Sequence, residues 1–385
     1  MRFFSSKKKQ SNDNFLRNSE KKGRPRFHTL IIKDVRRETA DCVSISFEVP
    51  DALKEDYRFY PGQYLTLRTT INGEDVRRSY SICSSPLKED LRVAVKKLEG
   101  GLFSTYANEE LAAGQQLDVM TPEGNFTTSI DETHKNHYVA FAAGSGITPI
   151  MSLMKTILEK ESDSRFTLFF GNRTTNSIIF RDTIDELKNT YMERLRVHHI
   201  LSREDQGSDL LKGHIDEEKC RAYASTFFDT NDVTRFFICG PEGMIVSLDA
   251  TLKELGVPNE AITFELFTTS KAEQATGVED TPKSESRSDA PSDVSQVTVI
   301  LDGEETHFDL AYDGDTIVDA AMDAGSDVPF SCKGAVCCTC RARVLEGEVE
   351  MDMNYALEPD EVEDGYVLTC QTHPRSKKVV ISFDD

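Results

Sequence analysis

At 385 residues, with 38% hydrophobic and 29% charged residues, the chain is too long for one ordinary core, so about two to three domains are expected. A formal net charge of −21 argues against nucleic acid as a partner. No membrane span is expected, because the longest apolar stretch, Tyr138 to Met151, is broken by Gly144, Gly146 and Pro149, and the absence of a signal-peptide core after Phe4 points to the cytoplasm.

Residues 1–26 form a basic tail, with nine Lys or Arg against two Asp or Glu over residues 1 to 27, and disorder is the expectation there. From 27 to 130 short alternating runs dominate: HTLIIKDV, CVSISFEV, YLTLRTT and LRVAVKKL. Turns at Pro61-Gly62 and Asn72-Gly73 separate them, and an antiparallel β-barrel is the simplest reading. One strand carries Arg77-Arg78-Ser79-Tyr80-Ser81, where Tyr80 can stack on a flat ring while Arg78, two residues away on the same face, meets a phosphate. Gly100-Gly101-Leu102-Phe103-Ser104-Thr105 reads as a helix start suited to phosphate.

The period changes over 131–269. An apolar strand, Tyr138 to Ala143, leads through Gly144-Ser145-Gly146-Ile147-Thr148-Pro149 into a helix with Ile150, Leu153, Met154, Ile157 and Leu158 on one face. Further strands are expected at Phe166 to Gly171, Leu195 to Leu201, Phe236 to Gly240 and Ile262 to Phe267, which makes a doubly wound α/β sheet. Its first turn favours a pyrophosphate, although the third glycine of the dinucleotide fingerprint is replaced by Pro149 and a plain tight turn looks the same. A second turn, Cys239-Gly240-Pro241-Glu242-Gly243, ends a later strand at the same edge. Arg173, Ser202 and Arg203 end two other strands, and together they suit a 2′-phosphate, which favours NADPH and leaves NADH open; ordinary surface arginines are the competing reading.

Residues 270–295 (SKAEQATGVEDTPKSESRSDAPSDVS) hold almost no large apolar residues and read as a flexible linker. Beyond it, residues 296–385 pattern as strand (Val297 to Leu301), Asp302-Gly303 turn, strand (Thr306 to Ala311), helix (Thr316 to Ala324), a cysteine loop and a closing strand (Val379 to Phe383), consistent with a β-grasp ferredoxin. Cys332, Cys337, Cys340 and Cys370 follow the C-x4-C-x2-C then distant C spacing of a plant-type 2Fe-2S site. A triplet so spaced arises by chance about 0.005 times in a chain of this length and cysteine content. The alternative is a zinc knot, whose cysteines normally come as two close pairs. Cys338 reads as a loop residue packed beside the cluster. Residues 295 to 385 carry six Lys or Arg against twenty Asp or Glu, a net −14, and so acidic a face can steer a basic partner or simply stay solvated.

Arg78-Ser79-Tyr80-Ser81, the GSGITP turn, Cys239-Gly240-Pro241 and the appended cysteine pattern resemble the ferredoxin-NADP reductase family carrying a C-terminal plant-type ferredoxin, as in the reductase components of phenylacetyl-CoA epoxidases and related oxygenases. The resemblance covers residues 27 to 268 and 296 to 385. It implies FAD held by Arg78, Ser79, Tyr80 and Ser81, with Val95, Lys96, Gly101, Phe103 and Ser104 along the diphosphate and Thr148 near the flavin edge. Gly144, Ser145, Gly146, Thr148, Pro149, Arg173, Ser202, Arg203, Cys239, Gly240, Pro241 and Met244 are implied around the nicotinamide nucleotide. Cys239, Glu265 and Phe267 are implied at the reacting centre, although family members that end at the aromatic residue stack it on the flavin and this chain continues.

The expected activity is an NADPH-dependent oxidoreductase passing electrons through FAD and a 2Fe-2S cluster to a partner oxygenase, a di-iron enzyme acting on an acyl-CoA such as phenylacetyl-CoA. Two alternatives remain open at this stage: a general ferredoxin or haem-protein reductase, and a redox-sensing iron-sulfur module without sustained turnover. The eight histidines form no recognisable ligand set.

Overall fold

A computed structural model of the chain describes residues 25–267, 293–357 and 359–384. The basic tail up to residue 24 and residues 270–292 of the expected linker lie outside the described residues. The linker's far end is shorter than expected, because the chain is already strand from Val294. The described residues fall into two compact units: Phe27–Leu67 with Tyr80–Phe267, and Arg68–Ser79 with the C-terminal residues.

The first six strands, β1 (Phe27–Thr39), β2 (Cys42–Glu48), β3 (Tyr64–Ile71), β4 (Glu74–Ser81), β5 (Leu91–Lys96) and β6 (Gln116–Met120), form one sheet in the order β4-β3-β6-β1-β2-β5. Ile82, just past β4, bridges Val93 of β5, so the two ends of that order meet and the sheet closes as a barrel. Alternation explains β1, where Leu30 and Ile32 are buried and Ile31 faces outward. The β3–β4 hairpin turns at Asn72 (φ 55°) and Gly73 (φ 88°), the pair of left-handed conformations that a two-residue hairpin demands. Helix α1 (Leu102–Glu109) follows β5.

The next strands are β7 (His137–Ala143), β8 (Arg165–Asn172), β9 (Leu195–Leu201), β10 (Arg235–Gly240) and β11 (Ile262–Leu266). They alternate with α2 (Ile147–Lys160), α3 (Arg181–Thr190), α4 (Glu217–Thr226) and α5 (Glu242–Glu254). All pairings in this sheet are parallel, in the order β11-β10-β7-β8-β9. The chain enters in the middle at β7, winds outward through β8 and β9, and returns to β10 on the other side of β7. The carboxyl ends of β7 and β10 therefore flank the topological switch point, where open α/β sheets bind ligands. One apolar cluster runs from Cys83, Ala94 and Phe126 of the barrel into Tyr138, Ile150, Met154 and Phe237, fixing barrel and parallel sheet together.

In the C-terminal unit, β12 (Val294–Leu301) and β13 (Glu304–Ala311) pair antiparallel across a turn at Asp302 and Gly303. Helix α6 (Ile317–Asp323) buries Ile317, Val318 and Ala321, and the Thr316 hydroxyl caps its start by accepting from the Asp319 amide. Then come β14 (Arg341–Glu346), β15 (Val349–Met351), α7 (Pro359–Glu363), β16 (Tyr366–Leu368), β17 (Thr372–Pro374) and β18 (Lys378–Ser382). The mixed sheet runs β13-β12-β18-β14-β16, with β12 and β18 parallel at its centre, and β15 pairs with β17 apart from it.

Candidate flavin, nicotinamide and iron-sulfur sites

Sterics bring the two loops at the switch point together. Gly144 (φ 55°) opens the turn after β7, and a Cβ on Gly146 would lie 2.0 Å from the Cys239 carbonyl oxygen and 2.9 Å from the Gly240 amide nitrogen. Only glycine lets the β7–α2 turn lie against the end of β10. The Thr148 hydroxyl donates to the Ser145 carbonyl at 3.0 Å, and buried Pro149 occupies the first turn of α2, where no amide donor is needed. Pro241 precedes α5, its carbonyl accepting the Met244 amide at 2.9 Å, and Met244 is buried beneath Gly240.

At the same edge the Ser202 amide donates to the Asn172 carbonyl and the Arg203 amide to the Arg173 carbonyl, each at 2.9 Å. Arg173 and Arg203 are thus backbone neighbours with exposed side chains. Two adjacent guanidinium groups beside a hydroxyl suit a phosphate monoester.

The register of β10 against β11 pairs Cys239 with Glu265. From the barrel, Ser81 Oγ donates to Glu265 Oε2 at 2.9 Å. Burial pushes the Glu265 carboxyl up to about 8, partly offset by the Ser81 hydrogen bond. Burial, and then the charge of Glu265, push the Cys239 thiol well above its ordinary value. Near neutral pH the centre therefore presents a mainly protonated carboxyl and a neutral thiol, with no competing thiolate nucleophile. Phe267, just past β11, is 42% exposed.

On β4 the pleat sends Arg78 and Tyr80 to one face and Ser79 and Ser81 to the other. Arg78 Nη1 donates to the Arg77 carbonyl at 2.8 Å, and the Tyr80 ring lies 5.5 Å from that of Phe103 in α1. Ser104 is buried, accepting from the Leu98 amide and donating to the Gly101 carbonyl, so it shapes the loop as well as facing it. Val95 is buried in β5; next to it, Lys96 holds its ammonium 3.7 Å from Asp41 and 3.9 Å from where a Cβ on Gly144 would stand. A cation beside an open glycine turn and the start of α1 is a donor set that fits a dinucleotide diphosphate.

Residues beyond those singled out in the sequence hold this site together. Ser152 Oγ donates to the Ser84 carbonyl at 2.6 Å, Lys155 Nζ to the Cys83 carbonyl at 3.2 Å, and Thr156 Oγ1 to Ser85 Oγ at 3.1 Å. They bind α2 to the segment that follows Ser81. The signal was present: buried hydroxyls four apart on an otherwise apolar helix require partners from elsewhere.

In the C-terminal unit the Cys332 thiol contacts those of Cys337 and Cys370, and Cys370 contacts Cys340. The four thiols that the spacing singles out thus come together, and with their C-x4-C-x2-C then distant C order they are a donor set that fits a 2Fe-2S cluster. Lys333 (φ 48°) and Ala335 (φ 62°) adopt the left-handed conformation, and this strained loop turns amides inward, Gly334 donating to Cys332 Sγ at 3.3 Å. Cys338 instead donates to the Ala356 carbonyl at 3.3 Å.

Three family models match in succession: the oxidoreductase FAD-binding domain over residues 29–128, the oxidoreductase NAD-binding domain over 141–249, and the 2Fe-2S iron-sulfur cluster binding domain over 299–375. The chain is 43% identical over 360 residues, 93% of its length and 98% of the relative's, to a 1,2-phenylacetyl-CoA epoxidase subunit of Escherichia coli (strain K12). The chain belongs to that reductase family. A second relative of the reductase, 34% identical over 92% of the chain and 96% of its own length, is the 3-ketosteroid-9-alpha-monooxygenase ferredoxin reductase component of Rhodococcus rhodochrous. Phthalate dioxygenase reductase shares the three-domain fold at a TM-score of 0.52 and 20% identity, covering 93% of this chain and 98% of that one. This reductase is an NAD(P)H-dependent oxidoreductase with FAD-binding, nicotinamide-binding and 2Fe-2S domains. Among the described residues no helix is long and apolar enough to cross a membrane.

Proposed function

We propose that this reductase draws electrons from NADPH and delivers them, in the cytoplasm, to a di-iron oxygenase that acts on an acyl-CoA such as phenylacetyl-CoA. The observation that carries the reading is the 43% identity to an epoxidase component over 98% of that component's length. When bound, FAD accepts electrons as a hydride and the cluster passes them on singly, a conversion nicotinamide cannot make alone. Arg78, Ser79, Tyr80 and Ser81 would hold the flavin, with Val95, Lys96, Gly101, Phe103 and Ser104 along its diphosphate and Thr148 near its edge. Gly144 through Pro149 and Cys239 through Met244 receive the nicotinamide nucleotide.

Ser81 orients Glu265, whose raised carboxyl keeps a proton at neutral pH, and Cys239, buried as a neutral thiol, would lie beside the nicotinamide. Phe267, half-exposed just past β11, would stand near the flavin at the reacting centre. Cys332, Cys337, Cys340 and Cys370 hold the cluster. Thiols that ligate iron agree with a reducing compartment.

The Arg173–Arg203 backbone pairing supports NADPH over NADH. Stopped-flow reduction of the bound flavin tests it: Arg203→Ala should lower the second-order rate with NADPH by about thirtyfold, the worth of one charge-assisted phosphate contact, and leave the NADH rate nearly unchanged. Equal losses with both nucleotides, or a wild type that prefers NADH, would contradict the choice. NADPH oxidation coupled to acyl-CoA epoxidation on adding the partner tests the acceptor; turnover unaffected by the partner would contradict it.

A further inference from the structure

The second compact unit joins Arg68–Ser79, the tip of the β3–β4 hairpin, to the C-terminal iron-sulfur domain. Strand β4 passes out of this unit between Ser79 and Tyr80, inside the Arg78-Ser79-Tyr80-Ser81 sequence. Two residues of β4 concentrate the attachment. The Arg77 side chain is only 4% exposed, and its Nη2 donates to Asp75 Oδ2 at 2.9 Å and to Asp327 Oδ1 at 2.8 Å. Its guanidinium also lies 4.4 Å from the centroid of the Phe330 ring. Two positions on, Ser79 Oγ and Ser331 Oγ are 2.6 Å apart. Phe330 and Ser331 directly precede the ligand Cys332, and the Lys333 ammonium takes up the same ring at 4.6 Å.

A guanidinium withdrawn from water needs full compensation, and here it comes from one carboxylate of its own hairpin, one carboxylate of the C-terminal domain and an aromatic face beside the cluster loop. Asp75 alone, two residues away on β4, would serve if Arg77 were only stabilising the hairpin. The geometry points to a second role: we propose that Arg77 is a positioning residue, and that with Ser79 it clasps the Asp327-to-Ser331 segment and fixes the cluster loop on the strand that carries the flavin sequence. This rests on the reductase reading. Asp327 is the partner most open to solvent, since its side chain is 73% exposed and accessible to competing cations.

Asp327→Asn and Asp327→Glu, made in the full chain loaded with flavin and iron, test the proposal. In Asp327→Asn, hydrogen–deuterium exchange of the amides over residues 68–79 and 327–334 should rise about fivefold, the scale of a half-exposed ion pair. Flavin reduction by the nicotinamide should stay unchanged while electron passage from flavin to cluster slows. Asp327→Glu should recover both. Unchanged exchange in both segments, or faster exchange throughout the C-terminal domain, would overturn the clasp. Wild-type protein lacking flavin or iron would defeat the reductase reading instead, because exchange at the hairpin is read without electron flow.

Discussion

Ser81 Oγ and Glu265 Oε2, from residues 184 positions apart, meet at 2.9 Å and tie β4 of the barrel to the last strand of the parallel sheet. This bond stands beside the Cys239–Glu265 pairing, so a barrel hydroxyl sets the orientation of a carboxyl belonging to the nucleotide half. The carboxyl's raised pKa follows from its low-dielectric position, and it gives a pH signature. In the folded chain Glu265 keeps its proton up to about 8, against an ordinary value of 4.5. The folded state thus binds the extra proton, and its contribution to stability is full below 4.5, falls as pH rises, and is gone above about 8. Denaturant midpoints measured from pH 4 to pH 9 should decline more in wild type than in Glu265→Gln. Parallel curves would reject the shift.

Gly146→Ala should be severe. The added Cβ meets backbone, at 2.0 Å from the Cys239 carbonyl, and backbone at a strand end cannot swing away as a side chain can. A loss of about 2–3 kcal/mol in stability is expected, with nicotinamide-dependent flavin reduction lowered at least as much, as read by thermal melting and stopped flow. Wild-type melting with intact reduction would show that the two loops are not in contact.

Much of this was legible in the sequence where the local chemistry is decisive. Asn72-Gly73 announces its hairpin because both residues must take positive φ, and α2 shows its apolar stripe at helical spacing. The strands β14 to β17 were not legible: Arg341–Glu346 and Val349–Met351 carry charges on partly exposed faces and are too short to display a period. Nor could spacing foretell Ser81 with Glu265, or the chain of hydroxyls from Ser152 and Thr156 to the barrel, since these partners meet only after two separate folds dock. The cysteine spacing named its ligands, whereas the left-handed Lys333 and Ala335 that bend the loop have no signature, neither being glycine.

Cys338 and Cys340 are two residues apart and should behave oppositely. Cys338 gives its thiol to the Ala356 carbonyl, so Cys338→Ala should retain the visible iron-sulfur absorbance and iron content. Cys340→Ala removes a thiol in contact with Cys370 and should abolish both. Loss of the cluster in Cys338→Ala would mean that ligation differs from the set described.

On the acid side, burial and nearby cations push His137 down to about 4, and burial does the same to His199. Both remain neutral in the folded chain while the unfolded chain takes up protons below 6.5, so their contribution to stability is present above 6.5 and is lost as pH falls toward about 4. His137→Gln should flatten that acid limb in urea titrations; an unaltered limb would exclude His137 as a contributor.

The central claim, that electrons enter as a pair and leave singly, is tested most directly by anaerobic reductive titration of the purified holoprotein with parallel iron and flavin analysis. The account predicts about three electrons taken up per chain, two at the flavin and one at a cluster held by Cys332, Cys337, Cys340 and Cys370. Uptake of only about two electrons, with zinc in place of iron at those cysteines, would contradict it.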